Sequence, residues 1–365
     1  MNAIDLFAGC GGLSLGFIKA GFTIKKAVEY DPPIANTYML NHPTVKMIVD
    51  DIRNIDTTGV FKRGDARVII GGPPCQGFSM AGARIRQGFI DDPRNYLFKH
   101  YFNVVKAVRP SVFIMENVKG MKTMQQGKIF KEILTIFSDP IAMEGAPYQL
   151  YPKVVRAVDF GIPQKRERLI IIGTTIADVP FESLWEETKK KIKEENKSYF
   201  DPVTVWDAIG NLPSVSEDGI IEAPAPVTEY QKYLSGSNPV ITNHKKSNHS
   251  KKAIQRMSQI GNGQNYTELQ ETIHSVHSGS YGRLCWEEAA PTITTRFDTP
   301  AGGRFIHPVE NRTISPREAA RIQSFPDDFV FYGANREISR QIGNAVPPKL
   351  SYFLARLIEK ILELE

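Results

Sequence analysis

The stretch Asp5–Phe17, which reads DLFAGCGGLSLGF, joins a short apolar strand pattern to a helical pattern. Its turn contains Gly9, Gly11 and Gly12, and glycines at such a turn let a ligand reach bare backbone at a helix N-terminus. Ser14 stands where a G-x-G-x-x-G pattern would have its last glycine, so the pattern is incomplete. Taken alone, the stretch favours a nucleotide-type cofactor over a purely structural turn.

Similar strand-then-helix patterns fill the chain as far as about residue 175. This alternation predicts an α/β fold with a doubly wound, mostly parallel sheet. The predicted strands are AIDLF, IKKAVEY, VKMIVDD, ARVIIGG, SVFIMEN and ERLIIIGTT. The predicted helices are GLSLGFIKA, NYLFKHYFNVVKAV and KIFKEILTIF.

The alternation stops between about Thr174 and Ile314, where segments rich in Pro, Gly, Ser and Asn predominate. Regular patterns return near the C-terminus, which ends in an amphipathic helix pattern, PPKLSYFLARLIEKILELE. We therefore predict a larger domain over residues 1–173, completed by residues 330–365, and a smaller, irregular domain over residues 174–329.

The composition is that of a globular protein, with 365 residues of which 41% are hydrophobic and 23% charged. No apolar run approaches the ~20 residues of a membrane span, and the N-terminus lacks signal-peptide features, so we expect a cytoplasmic protein. Three widely spaced cysteines, Cys10, Cys75 and Cys285, argue against a disulfide framework or a zinc site. The net charge of +5 permits a nucleic-acid partner without requiring one.

Acidic residues end the next two predicted strands at the same edge of the sheet. Glu29 lies about where an acid would hold a ribose diol, and Asp51 lies where it would face an adenine amino group. Ligands bind at the carboxyl edge of such sheets, so these positions strengthen the prediction of a nucleotide-type cofactor.

The run RVIIGGPPCQGFSMAG, residues 67–82, places Cys75 in a loop of glycines and prolines after the fourth strand. Most free cysteines act as small buried hydrophobic residues, but this loop is better suited to a nucleophile than to core packing. Glu116 follows the fifth strand in MENV. A lone glutamate is usually solvated, but here it would converge with Cys75, where a carboxyl can act as an acid if burial raises its pKa.

Six segments carry a resemblance to a known family: DLFAGCGG, GGPPCQGFS, ENV, GIPQKRERLIIIG, SPREAARIQSFPDDF and QIGNAVPP. In their order and spacing they resemble the DNA cytosine C5 methyltransferases of bacterial restriction-modification type, over about residues 4–175 and 280–355. The resemblance implies a Rossmann-like methyltransferase fold, S-adenosylmethionine as methyl donor with S-adenosylhomocysteine as product, and no metal. It also implies that residues 174–329 form a target-recognition domain.

The resemblance assigns roles in the reaction as well. Cys75 would attack C6 of cytosine, so that C5 becomes nucleophilic enough to accept the methyl group. Glu116 would contact N3 and the exocyclic amine, while Arg168 would contact O2 with Arg166 supporting the same region. The target base would have to flip out of the duplex, because stacked neighbours cover C5 and C6.

The same resemblance distributes the cofactor pocket over remote parts of the chain. Phe7 would stack on adenine, and the glycine turn would lie near the amino acid portion of the cofactor. The cofactor-binding residues are Phe7, Gly9, Gly11, Glu29, Asp51, Ile52, Leu97 and Asn344. A contact from Asn344 would require the C-terminal helix to pack back onto the first domain.

Two sets of DNA contacts are expected. The segment after Cys75 predicts a loop that closes over DNA, although without that neighbour it would be read as an ordinary surface loop. Its DNA-contacting residues are Gln76, Ser79, Arg84 and Arg86, with Arg94 further along. In the irregular interval, Lys251 and Lys252 would contact phosphates, and Arg296 would reach base edges unless it belongs to a structural hairpin.

Three alternatives stay open at this stage. An RNA (tRNA) cytosine C5 methyltransferase would use the same chemistry, although the long irregular interval suits a duplex-reading domain better. A dehydrogenase is suggested only by the glycine turn, and a noncatalytic DNA-binding relative would be expected to lack Cys75 or Glu116. The leading hypothesis is a monomeric modification enzyme that acts on double-stranded DNA, either paired with a restriction endonuclease or solitary.

Overall fold

The computed structural model describes residues 1–74, 96–269 and 279–365, without the side chains of Met124 and Gln125. Its strands are β1 (Asn2–Leu6), β2 (Thr23–Glu29), β3 (Lys46–Val49), β4 (Val68–Gly71), β5 (Val112–Val118), β6 (Gln149–Arg156), β7 (Gln164–Lys165), β8 (Glu167–Thr174), β9 (Ile221–Glu222), β10 (Val240–Ile241), β11 (Gly282–Arg283), β12 (Ala290–Pro291) and β13 (Arg304–Ile306). Its α-helices are α1 (Gly12–Lys19), α2 (Pro32–Asn41), α3 (Thr57–Val60), α4 (Leu97–Val108), α5 (Lys128–Ser138), α6 (Phe181–Glu195), α7 (Val205–Ile209), α8 (Glu229–Leu234), α9 (Lys251–Met257), α10 (Pro316–Ile322), α11 (Asn335–Asn344) and α12 (Pro348–Leu362).

A seven-stranded sheet with the order β3-β2-β1-β4-β5-β8-β6 forms the centre of the molecule. Its first five strands pair in parallel, whereas β8 runs antiparallel to both β5 and β6. The chain order reverses between β1 and β4, which is where ligands bind in open α/β sheets. The predicted doubly wound, mostly parallel sheet is confirmed.

All six predicted strands occur, and the elements that were missed include strand β6 and helix α2. Strand β6 contains Pro152, which reads as a strand breaker; it is accommodated because β6 lies at the edge of the sheet. Helix α2 begins with Pro32 and Pro33, which suit the first turn of a helix because that turn leaves its N–H groups unpaired.

Apolar layers cover both faces of the sheet. On one face, α1 and α12 pack so closely that a Cβ at Gly16 would lie 2.4 Å from the Cβ of Ser351. The C-terminal helix is amphipathic as predicted and buries Phe353 and Leu357 completely. Helix α6 joins the same layer, where the Trp185 and Phe353 ring centroids are 4.7 Å apart.

Helix α6 therefore packs with the larger core, although it lies within the interval 174–329 that the sequence assigns to a smaller domain. Residues 200–329, the second region below, contain only short helices and two- or three-residue strands in their described parts. The division into domains stays a prediction.

Buried arginines hold much of the second region together. The guanidinium of Arg283 donates hydrogen bonds to the carbonyls of Ile260, Met257, His307 and Glu310. Three other arginines there, Arg312, Arg317 and Arg321, are also at least 95% buried. The sparse apolar pattern of this interval is thus compensated by directional bonds to backbone carbonyls.

No helix among the described residues is long and apolar enough to cross a membrane.

Candidate active site

The carboxyl ends of the parallel strands place most predicted catalytic and cofactor residues along one edge of the sheet. Strand β4 ends at Gly71, and the described main chain continues through Pro74. Some of the predicted residues lie outside the described residues; these are Cys75, Gln76, Ser79, Arg84, Arg86 and Arg94.

Glu116 on β5 and Arg168 on β8 form an ion pair, with Nε of Arg168 2.8 Å from Oε1 of Glu116. The antiparallel register pairs Val118 with Arg168, which brings the two side chains to the same strand end. Both side chains are nearly buried, at 11% and 14% exposure. Burial lowers the pKa of Arg168, and the negative charge of Glu116 acts in the opposite direction. The two predicted base-contacting residues are therefore adjacent.

The chain that leads to Cys75 passes directly beside this pair. A Cβ at Gly72 would lie 3.0 Å from Oε2 of Glu116, so only a small residue leaves that carboxylate room. Asn117 Nδ2 donates a 2.8 Å hydrogen bond to the carbonyl of Pro73, and Asn117 Oδ1 accepts one from the Val118 amide. Asn117 thus holds the main chain at Pro73, two residues before Cys75. Asn117 is the middle residue of the ENV segment, but we assigned it no role from the sequence.

Arg166 is buried, and its hydrogen bonds go to main-chain carbonyls of sequence-remote segments. Its guanidinium donates to the carbonyls of Ile293, Gly343 and Ala345 at 3.2, 3.1 and 3.1 Å. Burial, together with the nearby charge of Arg168, holds the pKa of Arg166 well below its ordinary value. Its described contacts are with main chain, and its predicted support of the base-binding region stays a prediction.

The turn after β1 has the left-handed backbone conformation that glycines permit. Phe7, Gly9 and Gly11 have φ angles of 58°, 56° and 96°, in the left-handed region that favours glycine. Nothing lies within 4 Å of a Cβ built on Gly9, so this backbone is open to a ligand. A Cβ at Gly11 would lie 2.5 Å from Nε2 of His42, so a larger residue would clash there.

Ser14, the departure from the glycine pattern, has a structural reason. Its hydroxyl donates a 2.6 Å hydrogen bond to Oδ2 of Asp5 and lies 2.8 Å from the Tyr38 hydroxyl. All three groups are fully buried, and burial raises the pKa of Asp5 to about 7. The serine ties α1 to β1 and α2 beneath the open turn.

Glu29 supports the turn from the neighbouring strand. Its carboxylate accepts hydrogen bonds from the amides of Gly9 and Asp31, at 2.9 and 3.0 Å. Burial raises the pKa of Glu29. Each carboxylate oxygen keeps a second lone pair, so Glu29 can also accept from a ribose hydroxyl.

Three predicted adenine-pocket residues share one apolar cluster: Ile52 and Leu97 are buried in it, and Phe7 packs against it. Asp51 lies next to Ile52 at the end of β3 and accepts hydrogen bonds from Arg53, which lowers the pKa of Asp51.

Asn344 is exposed at the end of α11. The turn that follows it reaches the glycine turn, because a Cβ at Gly12 would lie 2.4 Å from the Val346 carbonyl. The sequence-remote Asn344 segment is thus brought to the β1 turn.

The predicted DNA-contacting residues of the second region lie on its surface. Lys251 and Lys252 occupy the first turn of α9, which the Ser250 side chain caps, and both are exposed. Arg296 is also exposed, and its main-chain carbonyl accepts a hydrogen bond from the Thr299 hydroxyl. Their contacts with DNA stay predictions.

The family model for C-5 cytosine-specific DNA methylase matches residues 1–360 of the chain. The chain belongs to this family. Among curated relatives of this methylase, the type II methyltransferase M1.HphI of Haemophilus parahaemolyticus is 35% identical over 364 residues, 99% of this chain and 87% of that protein. The type II methyltransferase M.DdeI of Desulfomicrobium norvegicum is 34% identical over 98% of this chain and 88% of its own length.

Solved structures agree with the fold. A prophage-encoded DNA modification methyltransferase of E. coli superimposes with a TM-score of 0.74 at 29% identity, over 100% of this chain and 99% of the other. The S. pombe Dnmt2 methyltransferase superimposes with a TM-score of 0.62 at 16% identity, over 99% of each chain, which shows the fold alone.

The donor set fits a nucleoside cofactor better than a metal ion. An open glycine turn, a carboxylate with free lone pairs and an apolar cluster would suit the amino acid, ribose and adenine portions of S-adenosylmethionine, which the family implies. Over 1–74, 96–269 and 279–365, no group of three or more His, Cys, Asp or Glu side chains is arranged to hold a metal.

Proposed function

We propose that this methylase transfers a methyl group from S-adenosylmethionine to C5 of a flipped cytosine within a specific double-stranded DNA sequence. The observation that carries the proposal is the buried Glu116–Arg168 ion pair beside the Gly72–Pro74 main chain. A paired acid and cation at this position can contact N3, the exocyclic amine and O2 of one pyrimidine together. A hydride-transfer enzyme has no use for that pair.

The cofactor would be held by the glycine turn, by Glu29 at the ribose and by the cluster of Phe7, Ile52 and Leu97 at the adenine. Asp51 would face the adenine edge and Asn344 would complete the pocket. When bound there, S-adenosylmethionine supplies an electrophilic methyl group.

In the proposed reaction, the Cys75 thiolate adds to C6 of the flipped base, and the electrons of the C5–C6 bond become available at C5. Glu116 shares a proton at N3, which offsets the negative charge that develops in the ring. Arg168, held by Glu116, orients the base through O2. After C5 has accepted the methyl group, a water molecule or a nearby base takes the C5 proton, and elimination of the Cys75 thiolate from C6 restores the aromatic ring.

The test compares methyl incorporation into duplex DNA and into tRNA, and then maps 5-methylcytosine in the DNA. We expect incorporation at one short sequence of the duplex. Cys75→Ser should abolish transfer and still bind S-adenosylhomocysteine. Cys285→Ser, at a half-buried thiol that donates a hydrogen bond to Glu287, should keep wild-type activity. Transfer to tRNA alone would favour the RNA alternative, and full activity of Cys75→Ser would overturn the mechanism.

A second experiment addresses the covalent step. Duplex DNA with 5-fluorocytosine at the target should trap a stable adduct, because fluorine cannot leave C5 as the proton does. Wild-type protein that binds such DNA and forms no adduct would argue against attack at C6.

Sequence selection is assigned to residues 174–329. Replacing Lys251 and Lys252 by alanine should weaken binding to every duplex. The slope of log K against log salt concentration should also become shallower, by about one unit for each lost phosphate contact. Arg296→Ala should instead cost about 1 to 3 kcal/mol at particular base pairs. The enzyme would be either paired with a restriction endonuclease, in keeping with the type II names of the relatives, or solitary. A monomeric state and a cytoplasmic location complete the proposal.

A further inference from the structure

A buried polar junction connects four segments that are far apart in sequence. Gln164, Arg166 and Gln323 form it, and each is at least 98% buried. Gln164 Nε2 donates to Oε1 of Gln323, and Gln164 Oε1 accepts from the Ile293 amide at 2.9 Å. The junction therefore binds the GIPQKRER segment to two separate segments of the second region.

Gln323 extends the junction to the end of α11. Its Nε2 donates to the carbonyls of Ile342 and Ala345 at 2.8 and 3.1 Å. Arg166 donates to the Ala345 carbonyl as well, and also to that of Ile293. The main chain on either side of Asn344 is thus held by two buried side chains, one from each region.

Segment 290–296, which includes Arg296, is held between the same elements. Strand β12 pairs with β7, and the Thr292 hydroxyl donates to the Lys165 carbonyl at 3.2 Å. On the other side, a Cβ at Gly343 would lie 2.5 Å from the Thr294–Thr295 peptide. Thus the segment that carries Arg296, which is predicted to read bases, lies in main-chain contact with Gly343, the residue before Asn344.

We propose that Gln164 and Gln323 are positioning residues that fix the Thr294–Arg296 segment and the Asn344 turn relative to the Glu116–Arg168 pair. This inference rests on the proposed function. Because one set of hydrogen bonds holds both segments, loosening it displaces the predicted base-reading turn and the predicted cofactor contact together. Buried amide pairs suit this role, since each bond is directional and a lost partner leaves an unsatisfied polar group.

The experiment compares Gln323→Leu with Gln231→Leu. Gln231 is an equally buried glutamine, in α8, whose Oε1 accepts from the Val227 amide and which is not part of the junction. For each variant we would measure the Kd for S-adenosylhomocysteine by calorimetry and the ratio of kcat/KM on the target duplex to that on duplexes with one changed base pair.

We expect Gln323→Leu to raise the Kd for S-adenosylhomocysteine about 10-fold and to reduce the selectivity ratio by about the same factor. Gln231→Leu should leave the Kd and the selectivity ratio at their wild-type values, even if it lowers the unfolding midpoint as much as Gln323→Leu does. A smaller fraction of folded protein lowers all rates in proportion and leaves the ratio unchanged, so the ratio separates positioning from stability. Wild-type values for either quantity in Gln323→Leu would overturn the proposal.

Gly343→Ala supplies an independent test if Gln323→Leu does not fold. Gly343 lies in helix α11, where alanine is favourable, so the main effect of the new Cβ is to push against the Thr294–Thr295 peptide. We expect reduced selectivity in this variant too, and an unchanged ratio would contradict the proposal. Wild-type protein that methylates no duplex would instead overturn the proposed function.

Discussion

The central sheet and the second region are held together in different ways. Most side chains of strands β1, β4 and β5 are apolar, and they pack against the helices on the two faces of the sheet. The described part of the second region has a smaller apolar cluster and short elements, and its buried arginines bond to backbone carbonyls.

The two regions tolerate different kinds of substitution. Apolar packing is not directional, so swaps that conserve volume usually cost little. A guanidinium with four or five buried partners has a fixed geometry, and replacing it leaves those partners unsatisfied. A region built in this way can vary its exposed turns while its buried arginines preserve the framework.

The largest expected effect is at Arg321, whose guanidinium donates two 2.7 Å bonds to the Asp327 carboxylate and further bonds to the Ala208 carbonyl and Asn211. Arg321→Met leaves Asp327 buried without its cation, which typically costs about 3 to 5 kcal/mol. Urea unfolding, followed by tryptophan fluorescence, measures the loss.

The matched control is Leu354→Met in the sheet-packing layer, where the residue is fully buried and volume is conserved. We expect it to cost less than about 1.5 kcal/mol. Equal losses for the two variants would contradict the distinction between the regions.

The next effect concerns Lys349, at the boundary between the regions. Its ammonium donates to the Gly161 carbonyl and lies 4.6 and 5.0 Å from the ring centroids of Tyr199 and Tyr233. Burial lowers the pKa of Lys349 to about 7, from 10.5 in an unfolded chain. Between these values the unfolded state binds the extra proton, so stability rises with pH by up to about 1.4 kcal/mol per unit, and the contribution is constant below about pH 7.

Lys349→Met removes this titration. The free energy of unfolding of wild type minus that of the variant should therefore increase from pH 7 to pH 9, as measured by urea unfolding at each pH. A pH-independent difference would show that Lys349 keeps its ordinary pKa.

Much of the central region was predictable from sequence, because apolar runs and the glycine turn are local signals. The junction of Gln164 and Gln323 was not predictable, since the two residues are 159 positions apart and neither pattern indicates its partner. The burial of Arg317 and Arg321 in SPREAARIQSF was not predictable either, because it depends on carbonyls that remote loops supply. Glu116 could be placed from the sequence because it ends a predicted strand, whereas the role of Arg168, at the start of the antiparallel strand β8, was indicated only by the family resemblance.

The smallest expected effect is at Ser315, the N-cap of α10. Its hydroxyl accepts from the Glu318 amide at 3.1 Å, and its own amide donates to the Glu318 carboxylate at 2.6 Å. Arg312 donates two 2.8 Å bonds to the same carboxylate; burial alone would raise the pKa of Glu318, but these bonds hold it at about 2. The cap is thus part of the second region's polar framework.

Ser315→Ala should cost about 1 to 2 kcal/mol, at the upper end for a cap, because the His244 ring nitrogen 2.9 Å from the hydroxyl also loses its partner. Thr204→Ala is the control, since Thr204 forms the same capping box on α7 at a partly exposed site. We expect about half the loss there. Hydrogen exchange of the first-turn amides, measured with urea unfolding, separates local fraying from global destabilisation. If Ser315→Ala frays only α10 and leaves the rest of residues 200–329 protected, the buried polar groups act separately rather than as one framework.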